Sequence, residues 1–304
     1  MNHYGEYKNL FSKIYKDSQI QLDAKMSENI YFKVGGPVDI LLTPNTVQQL
    51  KDAITICKDN KIPFYVIGNG SNLLVKDGGI RGVVIKLSEL NKIERVGNKI
   101  TAECGALLKD VSTEAVNGAL SGFQFACGIP GSVGGAVFMN AGAYDGEISF
   151  VIESAEVLDD NQEIRVISKE ELNLGYRQSI VMEKGYVVLS ATFNLTPGDK
   201  EKIKARVDEL TQRREEKQPL EYPSAGSTFK RPEGHFASKL IDDAGLKGFT
   251  IGGACVSEKH AGFVINKGNG TAKDVLDVIY HVTDEVKKKF GVDLYPEVRI
   301  LGED

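Results

Sequence analysis

Gly128-Ile129-Pro130-Gly131-Ser132-Val133-Gly134-Gly135-Ala136-Val137-Phe138-Met139-Asn140-Ala141-Gly142-Ala143-Tyr144-Asp145-Gly146 places six glycines in nineteen residues. Pro130 fixes the turn ahead of Gly131, and the glycines permit backbone that a Cβ forbids and let a ligand approach the main chain. Ser132 to Met139 is apolar enough to begin a short buried helix. Its free N–H groups and positive end would face whatever the glycines admit, a setting that suits a pyrophosphate. The alternative is a turn whose glycines serve only tight packing.

The spacing is not that of the dinucleotide fingerprint of doubly wound sheets. Gly131-Ser132-Val133-Gly134-Gly135-Ala136 lacks the Gly-x-Gly opening, and Gly68-Asn69-Gly70-Ser71-Asn72-Leu73 lacks the third glycine. No acidic residue follows either at the end of a clear second strand. A phosphate cradle made by two separate loops is expected. The second loop is Gly68-Asn69-Gly70-Ser71-Asn72, where glycines allow close approach and Ser71 and Asn72 offer side-chain hydrogen bonds.

Upstream of the opening stretch, Tyr7, Leu10, Phe11, Ile14 and Tyr15 recur at helical intervals and predict a helix up to about Gln21. From Ile30 the text reads as strand, Gly35-Gly36-Pro37 turn and strand, a hairpin-like opening. A helix over Thr46 to Asn60 has Val47, Leu50, Ile54 and Cys57 on one face, a cap at Asn45 or Thr46, and Lys61-Ile62-Pro63 as its stop. Strands Phe64 to Ile67 and Leu73 to Val75 flank the second glycine loop, and the first lobe closes near Lys86. A hairpin around Gly97-Asn98, a helix over Leu107 to Asn117 and the segment Phe123 to Cys127 lead into the first loop.

Downstream, strands Ser154 to Leu158 and Glu163 to Ile167 flank a turn at Asp159 to Gln162. Leu174-Gly175-Tyr176-Arg177-Gln178-Ser179 is a polar break before the strand Val187 to Phe193, and Arg177 there can present its planar fork to a carboxylate. Taken singly, such an arginine is more often a surface residue. Asp199 to Lys217 is a charged helix with Ile203, Val207 and Leu210 as its buried stripe. Proline breaks it, and Glu221-Tyr222-Pro223-Ser224-Ala225-Gly226-Ser227-Thr228-Phe229-Lys230-Arg231-Pro232 reads as a binding loop, or as a serine that merely caps the next turn. Helices Ala237 to Ala244 and Thr271 to Phe290, with strands Thr250 to Val256 and Gly262 to Asn266, form a small α/β unit. Val292 to Leu301 is a closing strand on which Glu297 and Arg299, two residues apart, point the same way; surface ion pairing is their bland explanation.

Composition bounds the function. At 304 residues the chain has the length of two or three domains, and 37 basic against 42 acidic residues give a net charge of −5. That balance argues against nucleic-acid or membrane-surface partners. No apolar run has the length of a membrane span, and Met1 to Leu22 has no signal-peptide core, so the cytoplasm is the expected location. Cys57, Cys104, Cys127 and Cys255 stand far apart, as do His3, His235, His260 and His281, and neither set has the spacing of a metal site.

The two glycine loops together resemble the two-loop FAD site of flavoproteins of the vanillyl-alcohol-oxidase type. No histidine lies in or beside either loop, so the FAD that this resemblance implies is non-covalent. Gly175-Tyr176-Arg177-Gln178-Ser179, Arg214-Glu215-Glu216-Lys217-Gln218-Pro219, Ser224 to Pro232, Val256-Ser257-Glu258-Lys259-His260-Ala261-Gly262-Phe263 and Pro296-Glu297-Val298-Arg299 then resemble, in order and over nearly the whole chain, the UDP-N-acetylenolpyruvoylglucosamine reductase family. Asp145 departs from the glycine of many relatives, and Ser227 follows Arg177 by only 50 residues, which points to the shorter subtype without a tyrosine-bearing flap.

The resemblance implies an α+β fold: a two-lobed FAD-binding domain (residues 1–88 and 89–205), a small α/β substrate-binding domain (206–291), and a C-terminal strand (292–304) bringing Glu297 and Arg299 to the active site. It implies NADPH as co-substrate and a nucleotide-sugar substrate; one bound flavin per chain implies no need for a partner subunit, so a monomer is expected. Arg177, Ser227 and Glu297 are the implied catalytic residues: Arg177 for the substrate carboxylate, Ser227 as proton donor to carbon, and Glu297, if protonated, dispersing charge on the same oxygens. Cofactor contacts are implied for Gly68, Asn69, Gly70, Ser71, Asn72, Gly128, Ile129, Pro130, Gly131, Ser132, Gly134, Gly135, Asn140, Ala141, Gly142, Arg214 and Arg299. Lys217, Lys230, Arg231 and Lys247 are implied contacts to substrate or nicotinamide-nucleotide phosphates. A flavoprotein oxidase of the same fold and a non-catalytic nucleotide-binding protein are the competing readings.

Overall fold

The computed structural model describes residues 4–304. Strands Ile20–Lys25, Pro37–Leu42, Ile80–Lys86 and Phe64–Ile67 form, in that order, a four-stranded sheet. A five-stranded antiparallel sheet has the order Ile164–Ser168, Ile152–Leu158, Val187–Asn194, Lys99–Glu103 and Ile93–Val96. A small antiparallel sheet of Thr250–Ile251, Ala254–Val256 and Val264–Asn266 lies towards the C-terminus. The class is α+β.

Backbone contacts divide the chain into two compact units. The first is Met1–Gln21, Leu41–Asn69 and Val84–Arg214; the second is Leu22–Ile40, Gly70–Val83 and Glu215–Asp304. The first unit buries Phe123 against Phe193, with ring centroids 4.9 Å apart in an edge-on arrangement. The short helix Val133–Phe138 packs on the strand Val187–Asn194 through its buried Val133, Ala136 and Val137. Full burial stabilises by about 1.5–3 kcal/mol for a side chain such as either valine, and by less for the alanine methyl.

The second unit is built around the helix Ala272–Phe290, whose buried Val275, Leu276, Val278, Ile279, Val282 and Val286 recur at three- and four-residue spacing. Its exposed amides are fully provided for. Thr271 and Asp274 form a reciprocal capping box, and the Asp77 carboxylate accepts from Ala272 N at 2.8 Å and Lys273 N at 2.9 Å. Gly291, at φ +71°, closes the other end in the left-handed conformation.

Thr46 is the cap of the helix Val47–Asp59, its hydroxyl accepting from Gln49 N. Four expectations require correction. The N-terminal helix covers only Tyr4–Phe11; the helical spacing does not continue, because Asp17–Gln19 turns and Ile20–Lys25 is a strand. The opening hairpin has one strand, Pro37–Leu42, since Lys33 and Gly35 take positive φ and break the segment before it. The closing strand is only Arg299–Leu301, paired in parallel with Leu73–Val75. Thr250 to Val256 is likewise not one strand but a tight hairpin about Gly252-Gly253.

Candidate functional site

In the first unit the two glycine loops are joined directly. Asn69 Nδ2 donates to Pro130 O at 2.7 Å. Gly68 faces Ser132 so closely that a Cβ there would overlap the serine Oγ. Ser132 is only 2% exposed, and its hydroxyl has no hydrogen-bond partner. An unsatisfied buried hydroxyl is destabilising by about 1–3 kcal/mol. A buried donor left unpaired beside a glycine, where backbone can be approached closely, suits an anionic oxygen, so these residues fit the pyrophosphate of FAD.

Arg214 reaches the same loop: a Cβ on Gly128 would come within 2.6 Å of Arg214 Cδ, so the glycine is what lets the arginine stem lie there. The neighbouring Arg213 guanidinium sits 5.4 Å from the centre of the Tyr144 ring. Burial raises the Tyr144 phenol above its ordinary value, against the opposing pull of Arg214. Other glycines have packing reasons. A Cβ on Gly134 would meet Cys104 Cβ at 2.9 Å, and one on Gly142 would meet Gly146 O at 2.7 Å. Gly135, by contrast, is exposed, with only Ser132 Oγ near its Cβ position at 3.7 Å. Ile129 N donates to Ala126 O, Gly131 O accepts from Leu108 N, and the buried Ala141 bonds back to Ala136 O, so main-chain pairing fixes the loop along its length.

Arg177 stands at the corner of a two-residue turn. Gly175 and Gln178 exchange both backbone hydrogen bonds, at 3.1 and 3.2 Å, and Arg177 has φ +54°. That position normally takes glycine or asparagine, and a larger L-residue there costs about 1–2 kcal/mol.

In the second unit, Ser227 and Glu297 come together through the main chain. Glu297 N donates to Thr228 O at 2.8 Å, Phe229 faces Pro296 across an antiparallel bridge, and Lys230 N donates to Tyr295 O at 2.8 Å. Asn72 joins the same cluster: its Nδ2 donates to Glu297 O at 3.2 Å, and its carbonyl accepts from Arg299 N at 3.0 Å. Gly70, at φ +68°, has no room for a side chain: a Cβ there would come within 2.8 Å of Asn29 O and 3.0 Å of Ile30 Cα. Ser71 is half-buried beside it.

Thr228, unmarked in the sequence reading, is the buried keystone of this loop. Its Oγ1 accepts from Val264 N at 2.9 Å, and its N–H donates to Gly262 O at 2.8 Å. His260 Nδ1 accepts in turn from Gly262 N at 3.1 Å. Burial lowers the His260 imidazole below its ordinary value, and Lys247 adds to this. A Ser-Thr pair in a loop is ambiguous in sequence, since either hydroxyl could face inward; here it is the threonine.

Among the implied phosphate contacts, Lys217, Lys230, Arg231 and Lys247 are all exposed. Arg231 lies over the Phe236 ring, 4.0 Å from its centre, and Lys247 pairs with Asp242 at 2.8 Å. A separate cleft of about 460 Å³ in the first unit, lined by Phe125, Tyr144, Phe150 and Arg206 among others, includes none of the implied site residues. Among the described residues no group of three or more His, Cys, Asp or Glu side chains could hold a metal ion, and no helix is long and apolar enough to cross a membrane.

Comparison with known proteins accords with this geometry. A model of an FAD binding domain matches residues 38–168, and one described as UDP-N-acetylenolpyruvoylglucosamine reductase, C-terminal domain, matches residues 218–301. A UDP-N-acetylenolpyruvoylglucosamine reductase of Clostridium beijerinckii is 86% identical over 304 residues, covering 100% of each chain. One from Clostridium kluyveri is 60% identical, also over 100% of each chain. The crystal structure of the Thermus caldophilus reductase superposes with a TM-score of 0.78 at 35% identity, covering 92% of this chain and 97% of that one. A Phl p 4 variant described as a glucose oxidase superposes at TM-score 0.50 and 13% identity over 64% of this chain and 44% of its own, a likeness of fold alone. Identity that runs the full length of reductases, and only a shared fold with an oxidase, decides between the two flavoprotein readings: the chain belongs to the UDP-N-acetylenolpyruvoylglucosamine reductase family and is an FAD-dependent oxidoreductase.

Proposed function

We propose that in the reaction of this family, reduction of the enolpyruvyl group of UDP-N-acetylglucosamine enolpyruvate to UDP-N-acetylmuramate for peptidoglycan, Arg177, Ser227 and Glu297 carry the chemistry. FAD, when bound, would supply hydride transfer from NADPH to the methylene carbon of the enol ether. Charge then builds on the substrate carboxylate, and fixed hydrogen-bond donors aimed at that charge lower the barrier. The Arg177 fork binds the carboxylate with two parallel bonds, and Glu297 adds a further donor when it carries a proton. The Ser227 hydroxyl delivers the proton to the neighbouring carbon.

The observation that carries the assignment is the main-chain pairing of residues 228–230 with 295–297, which holds an exposed serine next to a half-buried glutamate. Arg214 and Ser132 hold the cofactor, on the strength of their approach to Gly128 and Gly68. Exposed Lys217, Lys230, Arg231 and Lys247 serve the phosphates of substrate and NADPH. The test separates the half-reactions under anaerobic conditions. Ser227→Ala is expected to let NADPH bleach the flavin at the wild-type rate while the enolpyruvyl nucleotide fails to restore the colour. Equal loss in both half-reactions would remove Ser227 from the role of proton donor.

A further inference from the structure

We propose that Asn140 is a positioning residue for Arg177, acting on the reaction by clamping the arginine's turn to the end of the glycine-loop helix, not by touching the cofactor. The inference rests on the reading of Arg177 given above. Asn140 is 0% exposed and takes φ +45°, a conformation that its short amide tolerates better than most side chains do.

Its amide is committed on three sides. Nδ2 donates to Gly175 O at 3.1 Å and to Glu147 Oε1 at 3.0 Å, while Oδ1 accepts from Ser149 N at 2.9 Å. Glu147 Oε1 also accepts from Ser149 Oγ, so the carboxylate that anchors Asn140 is itself held. Gly175 is the first residue of the turn at whose corner Arg177 sits. The turn's far side is fixed to the same place: Ser179, buried, donates from Oγ to Phe138 O at 2.6 Å.

The two clamps grip Phe138, the last residue of the helix Val133–Phe138, and Asn140, two residues beyond it, and Ser132 precedes that helix. One rigid turn and a half of helix therefore sets both the glycine loop and the Arg177 turn. Left-handed backbone at a non-glycine residue persists only where surrounding bonds over-determine it, and these bonds do so for Arg177. An asparagine is required: an aspartate at 140 would set a carboxylate against both Glu147 and a carbonyl, with no hydrogen to offer either.

The test is a double-mutant cycle on the flavin-loaded enzyme, read as the rate at which the enolpyruvyl nucleotide reoxidises the NADPH-reduced flavin. Asn140→Ala is expected to slow that step about 10- to 100-fold, as misplacement of a binding group by an ångström does. FAD affinity and the rate of reduction by NADPH should stay at wild-type levels. In an Arg177→Ala background, Asn140→Ala should change the step less than about twofold, because the group it positions is gone. Full multiplication of the two losses, or a matching fall in FAD affinity, overturns the proposal. If Arg177→Ala itself leaves the step intact, it is the reading of Arg177 that fails. Should Asn140→Ala not fold, Ser179→Ala, which removes the other clamp with almost no change in volume, is carried through the same cycle with the same expectations.

Discussion

Gly68 and Ser132 offer a perturbation whose effects on stability and on cofactor binding run in opposite directions. Gly68 has no left-handed φ, so a methyl group there is not strained by its own backbone; what it meets is the Ser132 hydroxyl, buried and hydrogen-bonded to nothing. Gly68→Ala forces that hydroxyl out of its rotamer in a packed site. Rotamer strain of about 0.5–1.5 kcal/mol and overpacking of about 1–3 kcal/mol bracket the cost to the apo-protein. Ser132→Ala removes the unpaired donor and leaves apo stability unchanged or slightly higher. In the double variant the new methyl faces a β-carbon at 3.5 Å, an ordinary contact, so most of the loss is recovered. The coupling energy in urea denaturation should be about 1–3 kcal/mol in the stabilising sense. FAD affinity follows a different order. Ser132→Ala loses a hydrogen bond to a charged group, about 1.5–3 kcal/mol, and should weaken FAD about 10- to 150-fold in a fluorescence titration. The double variant should be as stable as wild type and still bind FAD poorly. Wild-type FAD affinity in Ser132→Ala would refute the claim that the hydroxyl faces the pyrophosphate, and additive stabilities would refute the packing.

Three further outcomes follow from the geometry. Arg177→Lys should recover only part of the turnover lost in Arg177→Ala, because a point charge does not reproduce a two-pronged contact; complete recovery in steady-state assays would dismiss the bidentate contact. His260, held below its ordinary value by burial, binds fewer protons folded than unfolded, so it favours the folded state above the ordinary value of 6.5 and progressively withdraws that contribution as pH falls towards the folded value. Urea midpoints should accordingly fall below neutral pH less steeply in His260→Asn, whose Oδ1 can accept the Gly262 N–H without titrating; an identical slope would show that His260 does not contribute. Burial pushes the Cys57 and Cys104 thiols up to about 12, and Cys255 is buried, whereas Cys127 is half-exposed. Iodoacetamide on the native protein should therefore mark Cys127 alone by peptide mass, and labelling of Cys104 without unfolding would contradict its packing against Gly134.

Much of this was written in the sequence where one local rule dominates. The helix Val47–Asp59 declared itself through its cap, its apolar stripe and the following proline, and the strands around Asp159 through alternation and a turn. The glycine loops were legible because no other residue tolerates such close approach. What escaped is non-local. Ile20–Lys25 has only two buried positions, Ile20 and Ala24, four residues apart, and its exposed remainder, Gln21, Leu22, Asp23 and Lys25, carries no strand alternation; partners elsewhere in the sheet make it a strand. Val292 to Val298 has the alternation of a strand, yet its hydrogen bonds go one at a time to Thr228, Lys230 and Asn72, so only the three residues that follow it, Arg299–Leu301, form a ladder. In the same way Asn140 reads as one more polar residue in a cofactor loop, and nothing in the sequence places Gly175 beside it.

The two kinds of support differ in a way that bears on how the reaction is built. Ser227 and Glu297 are placed by a run of main-chain bonds, Glu297 N to Thr228 O and Lys230 N to Tyr295 O, with the threonine hydroxyl on Val264 N and the Asn72 amide on Glu297 O beside them. No bond of that run uses the Ser227 or Glu297 side chain, so under the proposed roles changing either should remove chemistry while the run itself stays intact. Arg177 is different, because its turn is strained and is kept in place by the side chains of Asn140 and Ser179. A proton donor needs only to be presented, and a flat ladder suffices. A guanidinium that meets a carboxylate with both prongs, as proposed for Arg177, needs the backbone it starts from fixed as well, and the buried amide and hydroxyl fix that turn at the expense of about 1–2 kcal/mol of local strain.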